Sequence, residues 1–225
     1  MGTSITGGYT LENIKLSFNQ DKVIKYLNKS RFIGYDVIKH LIDNKLLLQE
    51  EDTNNAIFPM YDEKNNYVGA EVQGILEIKR FKGIKPGSKY GYGFNLRFSD
   101  NGEFDYALFF ESAIDLMSFV DFKIHHEGKT LTRCILVSMA GLKPNVLKHT
   151  LKAFKRQLKP VLCIDNDETG AAFMKALETE KIPFITRLPD EQYKDWNDQI
   201  AAHRKGNKPF SRLIEGHNLA AIIGK

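Results

Sequence analysis

From residue 104 onward the chain alternates short apolar runs with helical patterns, and this alternation restricts the fold more than any other feature of the sequence. YALFF (106–110), RCILVSM (133–139), PVLCID (160–165) and PFITRL (183–188) are the apolar runs. They are followed in turn by SAIDLMSFV, a stretch from Pro144 to Leu158, ETGAAFMKALETEK, and a last helix from about Asp195. Unbroken apolar runs are strands buried on both faces, and strands separated by helices run parallel. The expected fold class is α/β: a four-stranded parallel sheet with helices on both faces.

The residues before this region read differently. Val23, Ile24 and Leu27 repeat at helical spacing between Asn19 and Asn28, and Val37, Ile38, Leu41 and Ile42 do so after Gly34, which predicts a small helical unit through about Leu48. AIFPMYD, a polar DEKNN turn, YVGAEVQGIL and EIKRF then read as short strands, antiparallel and half exposed. The expected division is a helical and antiparallel α+β subdomain over 1–103, the parallel sheet over 104–205, and a tail over 206–225.

Composition excludes several classes. With 225 residues, 42% hydrophobic and 27% charged, the chain is long enough and apolar enough to bury a core. No apolar run approaches the roughly 20 residues of a membrane span. The opening MGTSITGGYT has neither the basic start nor the apolar stretch of a secretory signal, so the expected compartment is the cytoplasm. Cys134 and Cys163 each sit within an apolar run and read as small buried hydrophobes, and no Cys or Cys/His spacing suits a zinc module. A net charge of +4 permits anionic partners without identifying one.

Ligands of open α/β sheets bind beyond the carboxyl ends of the strands, so the residues that close each strand carry the functional information. The first strand closes on Glu111. The third closes on Asp165, with Asp167 two positions on and Gly170 in the helix that follows. These acids converge if the strands are ordered second, first, third, fourth. Carboxylate oxygens of this kind suit Mg²⁺ or Mn²⁺. YKDWND adds Lys194, Asp195 and Asp198 on the same rim; Asp195 also suits a helix N-cap, and Asp198 a first turn. Asp115, four residues after Glu111, is placed either to orient it or simply to favour its helix's first turn. A phosphatase of the haloacid-dehalogenase type also uses Asp-x-Asp, but on the first strand of its domain, and it would leave Glu111 without a role.

FFESAIDLMSF, VSMAGL, CIDNDETG and KDWND, in that order and spacing, resemble the Toprim domain shared by bacterial primases, topoisomerases and certain nucleases, over roughly residues 104–205. The resemblance implies that Glu111, Asp165 and Asp167 are metal-binding and catalytic acids. By its place on the rim Lys194 suits either a catalytic contact to a phosphate oxygen or a solvated lysine, and Asp115, Asp195 and Asp198 are candidates for a supporting role around the acids. Upstream, NAIFPMYDEKNNYVGAEVQG is similar to the stretch that precedes the Toprim domain in bacterial primases. The whole chain most resembles primase-like Toprim proteins of plasmids and conjugative elements. Two departures stand out: Ser112, where many Toprim proteins carry Gly, and Gln73, where primases often carry Arg.

Nucleic acid has two candidate surfaces. In KRFKGIKPGSKYGYGF, the cations Lys79, Arg80, Lys82, Lys85 and Lys89 interleave with Phe81, Tyr90, Tyr92 and Phe94. That combination suits a single-strand channel, and equally a twisted hairpin whose lysines guard an edge. Lys148, Lys152, Lys155, Arg156 and Lys159 form a basic stripe on one helix, a pattern also shown by ordinary solvated faces. The expected function is metal-dependent phosphodiester chemistry, primase-like nucleotidyl transfer first. A Toprim nuclease and a non-catalytic DNA-binding accessory of mobilisation are the alternatives. The expected partners are single-stranded DNA, nucleotides and replication or mobilisation proteins, with no membrane. A topoisomerase would need a nucleophilic Tyr in a further domain, for which 225 residues leave little room.

Overall fold

A computed structural model of the chain describes residues 14–76, 81–99, 101–154 and 158–206. Helix α1 (Asp21–Lys25) continues into a π turn over Tyr26–Ser30, and α2 (Tyr35–Asp43) follows. Four short strands, β1 (Leu48–Gln49), β2 (Ala56–Tyr61), β3 (Tyr67–Gln73) and β4 (Lys82–Ile84), pair antiparallel in that order. The turn between β2 and β3 falls where the polar residues after Tyr61 predict it. The Asp62 carboxylate holds it by accepting the Lys64 and Asn66 amides at 2.9 and 2.8 Å.

The second sheet contains β5 (Asn95–Phe98), β6 (Tyr106–Phe110), β7 (Cys134–Ser138), β8 (Lys159–Leu162) and β9 (Ile185–Thr186), ordered β5-β7-β6-β8-β9. The parallel strands are ordered second, first, third, fourth, the arrangement under which the strand-end acids converge. Helices α3 (Ala113–His125), α4 (Pro144–Ala153), α5 (Glu168–Thr179) and α6 (Trp196–Gly206) connect or follow them. Strand β5, which the sequence reading did not identify, adds antiparallel to the edge at β7.

Side chains alternate across a strand, so each apolar run supplies both faces. Leu108 and Phe110 of β6, Leu136 of β7 and Val161 beside Cys163 face one core. There they meet Leu116 and Phe119 of α3, Trp196 and Ile200 of α6, and Leu27, Ile38, Leu41, Phe58 and Val68 from the first hundred residues. The alternate positions, Ala107, Phe109, Ile135, Val137 and Leu162, face a second core closed by Val146 and Leu147 of α4 and Phe173 and Leu177 of α5. Each such buried Leu or Phe contributes on the order of 1.5–3 kcal/mol. The helical unit and the antiparallel sheet therefore share a core with one face of the parallel sheet.

The expectation that the antiparallel stretch is half exposed is corrected for β2 and β3, while the edge strand β4 stays partly exposed. Ala56–Met60 and all of Tyr67–Gln73 are buried. One face joins the shared core and the other packs Ile57, Ala70 and Val72 against Ile14. Cys134 and Cys163 are buried free thiols, as expected, and burial pushes the Cys134 thiol up to about 12. Among the described residues, no helix is long and apolar enough to cross a membrane.

Candidate active site

The rim at the carboxyl ends of β6 and β8 gathers the acids in two groups. Glu111 follows β6 directly. Ser112 caps α3, its hydroxyl accepting the Asp115 amide at 3.2 Å and donating to the Asp115 carboxylate. Asp115 is thereby buried against the start of its own helix. Burial, then the negative charge of Asp195, pushes its carboxyl up to about 7. Asp165, also buried, is pushed up to about 8, first by burial and then by Asp115, Glu111 and Asp195. Four carboxylates thus press on one another in a partly dehydrated place, a field that favours taking up protons or cations.

Asp167 belongs to the other group. Its Oδ1 accepts the Gly170 amide at 2.9 Å as the N-cap of α5, and Lys194 Nζ lies 3.5 Å from Oδ2. The Gly170 amide, more than any other influence, holds the Asp167 carboxyl below its ordinary range. Asp195 caps α6, its Oδ1 accepting the Asp198 amide at 2.7 Å, while Asp198 lies on the exposed face of the first turn. Lys194 is exposed, and the charge of Asp165, before that of Asp167, raises its pKa. Among the described residues, no three His, Cys, Asp or Glu side chains are gathered closely enough to form a metal cage.

Sequence reasoning missed several residues that build the rim. Asn166, between the two aspartates, donates from Nδ2 to the carbonyls of Pro189 and Tyr193, both at 3.0 Å, and its amide donates to Lys194 O at 2.7 Å. It therefore holds the Lys194 loop against the end of β8. Glu71 on β3 is wholly buried. Its Oε1 accepts the Ala113 amide at 3.0 Å and its Oε2 the Ser138 hydroxyl at 2.6 Å. Burial raises its pKa, against the pull of Ser138 and Ala113. Lys143, just before α4, stands near enough to Glu71 and Lys82 to feel both charges. At the turn after β7, Gly141 adopts φ +101° and donates its amide to Glu111 O at 2.7 Å.

The basic and aromatic segment is divided by the fold. Lys79 and Arg80 lie outside the described residues, as do Lys155 and Arg156 of the helical stripe. Lys82, on β4, reaches the rim, its Nζ 3.2 Å from Glu111 Oε1. Lys85 turns to Glu50 instead. Lys89 lies over the Tyr92 ring at 5.8 Å, and Tyr92 packs on His149 with ring centres 4.2 Å apart. Tyr90 is 80% exposed and Phe81 49%. Of the described stripe residues, Lys148 is engaged by Glu180.

Residues 108–200 match the family model described as Toprim-like. Residues 25–102 match one described only as a protein of unknown function, DUF3991. An uncharacterized protein of Bacillus anthracis is 34% identical over 203 residues, covering 80% of this chain and 56% of that protein. A 65 kDa protein of Zymomonas mobilis is 29% identical over 199 residues, covering 83% of this chain and 32% of that protein. The chain thus spans about half or less of the length of these relatives. Among solved structures, the primase fragment of the bacteriophage T7 primase-helicase superposes with a TM-score of 0.53 at 16% identity, over 79% of this chain and 68% of that one. A chain from the T7 lagging-strand DNA polymerase complex with gp4 primase domains gives 0.54 at 15% identity, over 88% and 90%. The RNA polymerase domain of Mycobacterium tuberculosis primase gives 0.50 at 14%, over 84% and 76%. The second half of the chain, residues 108–200, is therefore a Toprim-like domain, set within a fold shared with bacteriophage and bacterial primase cores.

Proposed function

We propose that the chain carries out divalent-cation-dependent phosphodiester chemistry on nucleic acid, as a primase-like nucleotidyltransferase in the replication or transfer of a mobile element. The observation that carries this reading is the rim where Glu111 follows β6, buried Asp165 follows β8, and Asp167 caps α5 beside Lys194. An all-carboxylate donor set with this excess of negative charge fits a hard divalent cation better than it fits an empty pocket. Glu111, Asp165 and Asp167, which stand too far apart among the described residues to form a cage, would have to draw together to hold Mg²⁺ or Mn²⁺. Bound there, such an ion brings positive charge to the attacking and leaving oxygens of an in-line displacement at phosphorus.

The chain's own residues do the rest. Glu111, with an oxygen to spare, takes the proton of an attacking sugar hydroxyl. Lys194, already beside Asp167, contacts a phosphate oxygen of the incoming nucleotide. Exposed Tyr90 and Phe81, with Lys82 and Lys89, supply stacking faces and phosphate contacts for a single strand. The gp4 primase domains of bacteriophage T7 bind an RNA/DNA hybrid and dTTP, and the same ligand classes are proposed here, in the cytoplasm.

The test is to incubate the chain with labelled single-stranded DNA, nucleotides and Mg²⁺ or Mn²⁺, beside Glu111→Gln. Longer products made by the parent and lost in the variant support synthesis. Shorter products would assign the same site to a nuclease. No metal-dependent product of either kind would leave a non-catalytic nucleic-acid-binding role. Separately, Asp165→Asn and Asp167→Asn should each weaken Mn²⁺ binding, and unchanged affinity in both would remove the proposed cation site.

A further inference from the structure

Lys82 is the one lysine of the described antiparallel sheet that an ion pair ties to the rim. It lies on the exposed edge strand β4, opposite Gln73 of β3, and from there its ammonium crosses to Glu111, 29 residues later in the chain. The pair is half in water, with side-chain exposures of 37% for Lys82 and 22% for Glu111. Such a pair is weak and exchanges partners readily. Its acid is one on which the cation-binding reading rests. Its base lies in the segment that presents Phe81 and Tyr90 to solvent. One ammonium therefore stands between the two ligands the site would need, a cation on one side and a phosphodiester on the other.

We propose that Lys82 couples strand binding to cation binding by exchanging partners. Without nucleic acid, its ammonium occupies Glu111 and competes with a divalent cation for that carboxylate. When a single strand settles on β4, a backbone phosphate takes the ammonium and frees Glu111 Oε1 for the cation. The exchange moves no covalent bond, only an ion-pair partner. Binding linkage is reciprocal, so the strand must tighten the cation by the same factor by which the cation tightens the strand. The chain would thus assemble its cation site only on a loaded strand. This inference rests on the reading of Glu111 as a cation-binding acid.

The exchange is tested by binding, without turnover. Mn²⁺ affinity is measured by the electron paramagnetic resonance of free Mn²⁺, with and without a 3′-blocked single-stranded oligonucleotide. Oligonucleotide affinity is measured by fluorescence anisotropy, with and without Mn²⁺. In the parent, each ligand should tighten the other by the same factor, about fivefold or more. Lys82→Ala should bind Mn²⁺ more tightly than the parent when no strand is present, because the competitor is gone, and most of the mutual tightening should disappear. Lys82→Arg should keep the coupling, and Lys89→Ala should weaken the strand while leaving the coupling factor intact. Failure of both parent and Lys82→Ala to bind Mn²⁺ would overturn this inference together with the reading beneath it. Mn²⁺ binding that persists with the parent's coupling factor in Lys82→Ala would overturn the exchange alone.

Discussion

The Glu71 carboxylate on β3 accepts the amide of Ala113, the first residue of α3, at 3.0 Å. A strand of the antiparallel sheet therefore caps the helix that begins two residues after the candidate acid Glu111. The same carboxylate accepts the Ser138 hydroxyl at 2.6 Å, at the end of β7. One buried side chain thus joins three elements under the rim.

Removing Glu71 should be felt both in stability and at the rim. Glu71→Ala leaves the Ala113 amide and the Ser138 hydroxyl without this acceptor in a buried place, a loss of about 1–3 kcal/mol. Glu71→Gln keeps the volume and one carbonyl oxygen, so the expected loss is smaller, about 1 kcal/mol. Urea unfolding measures the order. If Glu71→Ala is as stable as the parent, the carboxylate is not the link between the two sheets.

Much of this arrangement was legible in the sequence, for a reason that also explains what was not. The parallel strands and the positions of Glu111 and Asp165 follow from unbroken apolar runs and the rule that ligands gather at strand ends, both local properties, whereas the strand order entered only as the condition for convergence. Asp195 and Asp198 sit where N-capping preferences place them. Glu71 is different: YVGAEVQG gives no local sign that its acid faces inward, because its partners lie 42 and 67 residues away. The same non-locality hid Asn166, whose carbonyl partners are 23 and 27 residues further on. β5 escaped notice because only four residues, NLRF, form the strand, between a glycine-rich segment and a turn.

A pH dependence of stability should come from the network joining α2, α3 and α6. His125 Nδ1 lies 2.6 Å from Asp121, and its Nε2 2.7 Å from Asp36; Asp121 also accepts the Gly34 amide at 2.6 Å and pairs with Arg204 at 2.8 Å. His126 stands beside this network. The hydrogen bond to Asp121, then that to Asp36, pushes His125 up to about 10 from an ordinary 6.5. A raised histidine stabilises the fold fully below its unfolded pKa, and the contribution is lost as pH rises through the folded value. Urea midpoints should fall between about pH 7 and pH 10. His125→Asn should flatten that decline and lower stability at pH 6 by about 2–4 kcal/mol, since the buried Asp121 then loses one of its two ion-pair partners among the described residues and keeps Arg204. A decline of the same slope in both proteins would assign it elsewhere.

Gly170 should resist even a methyl group. In a helix interior, Gly→Ala ordinarily gains about 1 kcal/mol of propensity. Here a Cβ would meet Asp165 O at 2.4 Å, and a backbone atom at a strand end cannot swing away as a flexible side chain would. Overpacking costs about 1–3 kcal/mol, enough to outweigh the propensity. Gly170→Ala should therefore lower the thermal midpoint, and it should weaken Mn²⁺ binding because the strain falls on the Asp165 backbone. Gly206→Ala is the comparison, since a Cβ there meets no atom of the described residues within 4 Å. Equal midpoints for the two variants would show that α5 shifts without strain.

Asn166 should act as the clasp of the Lys194 loop through its donors. Its Nδ2 reaches Pro189 O and Tyr193 O at 3.0 Å each, while its backbone amide reaches Lys194 O at 2.7 Å whatever the side chain. Asn166→Ala removes the side-chain bonds and leaves two part-buried carbonyls without this donor, for a loss of about 1–2 kcal/mol. Asn166→Asp should be worse than Ala, because a carboxylate cannot donate, faces two carbonyl oxygens, and adds negative charge between Asp165 and Asp167. Adding Mn²⁺ should narrow the gap between Asp and Ala if the rim takes a cation, since the added charge then has a partner. Thermal melts with and without Mn²⁺ read both effects. An Asp variant more stable than Ala in the absence of metal would mean that the loop is held by packing, with the Asn166 amide incidental.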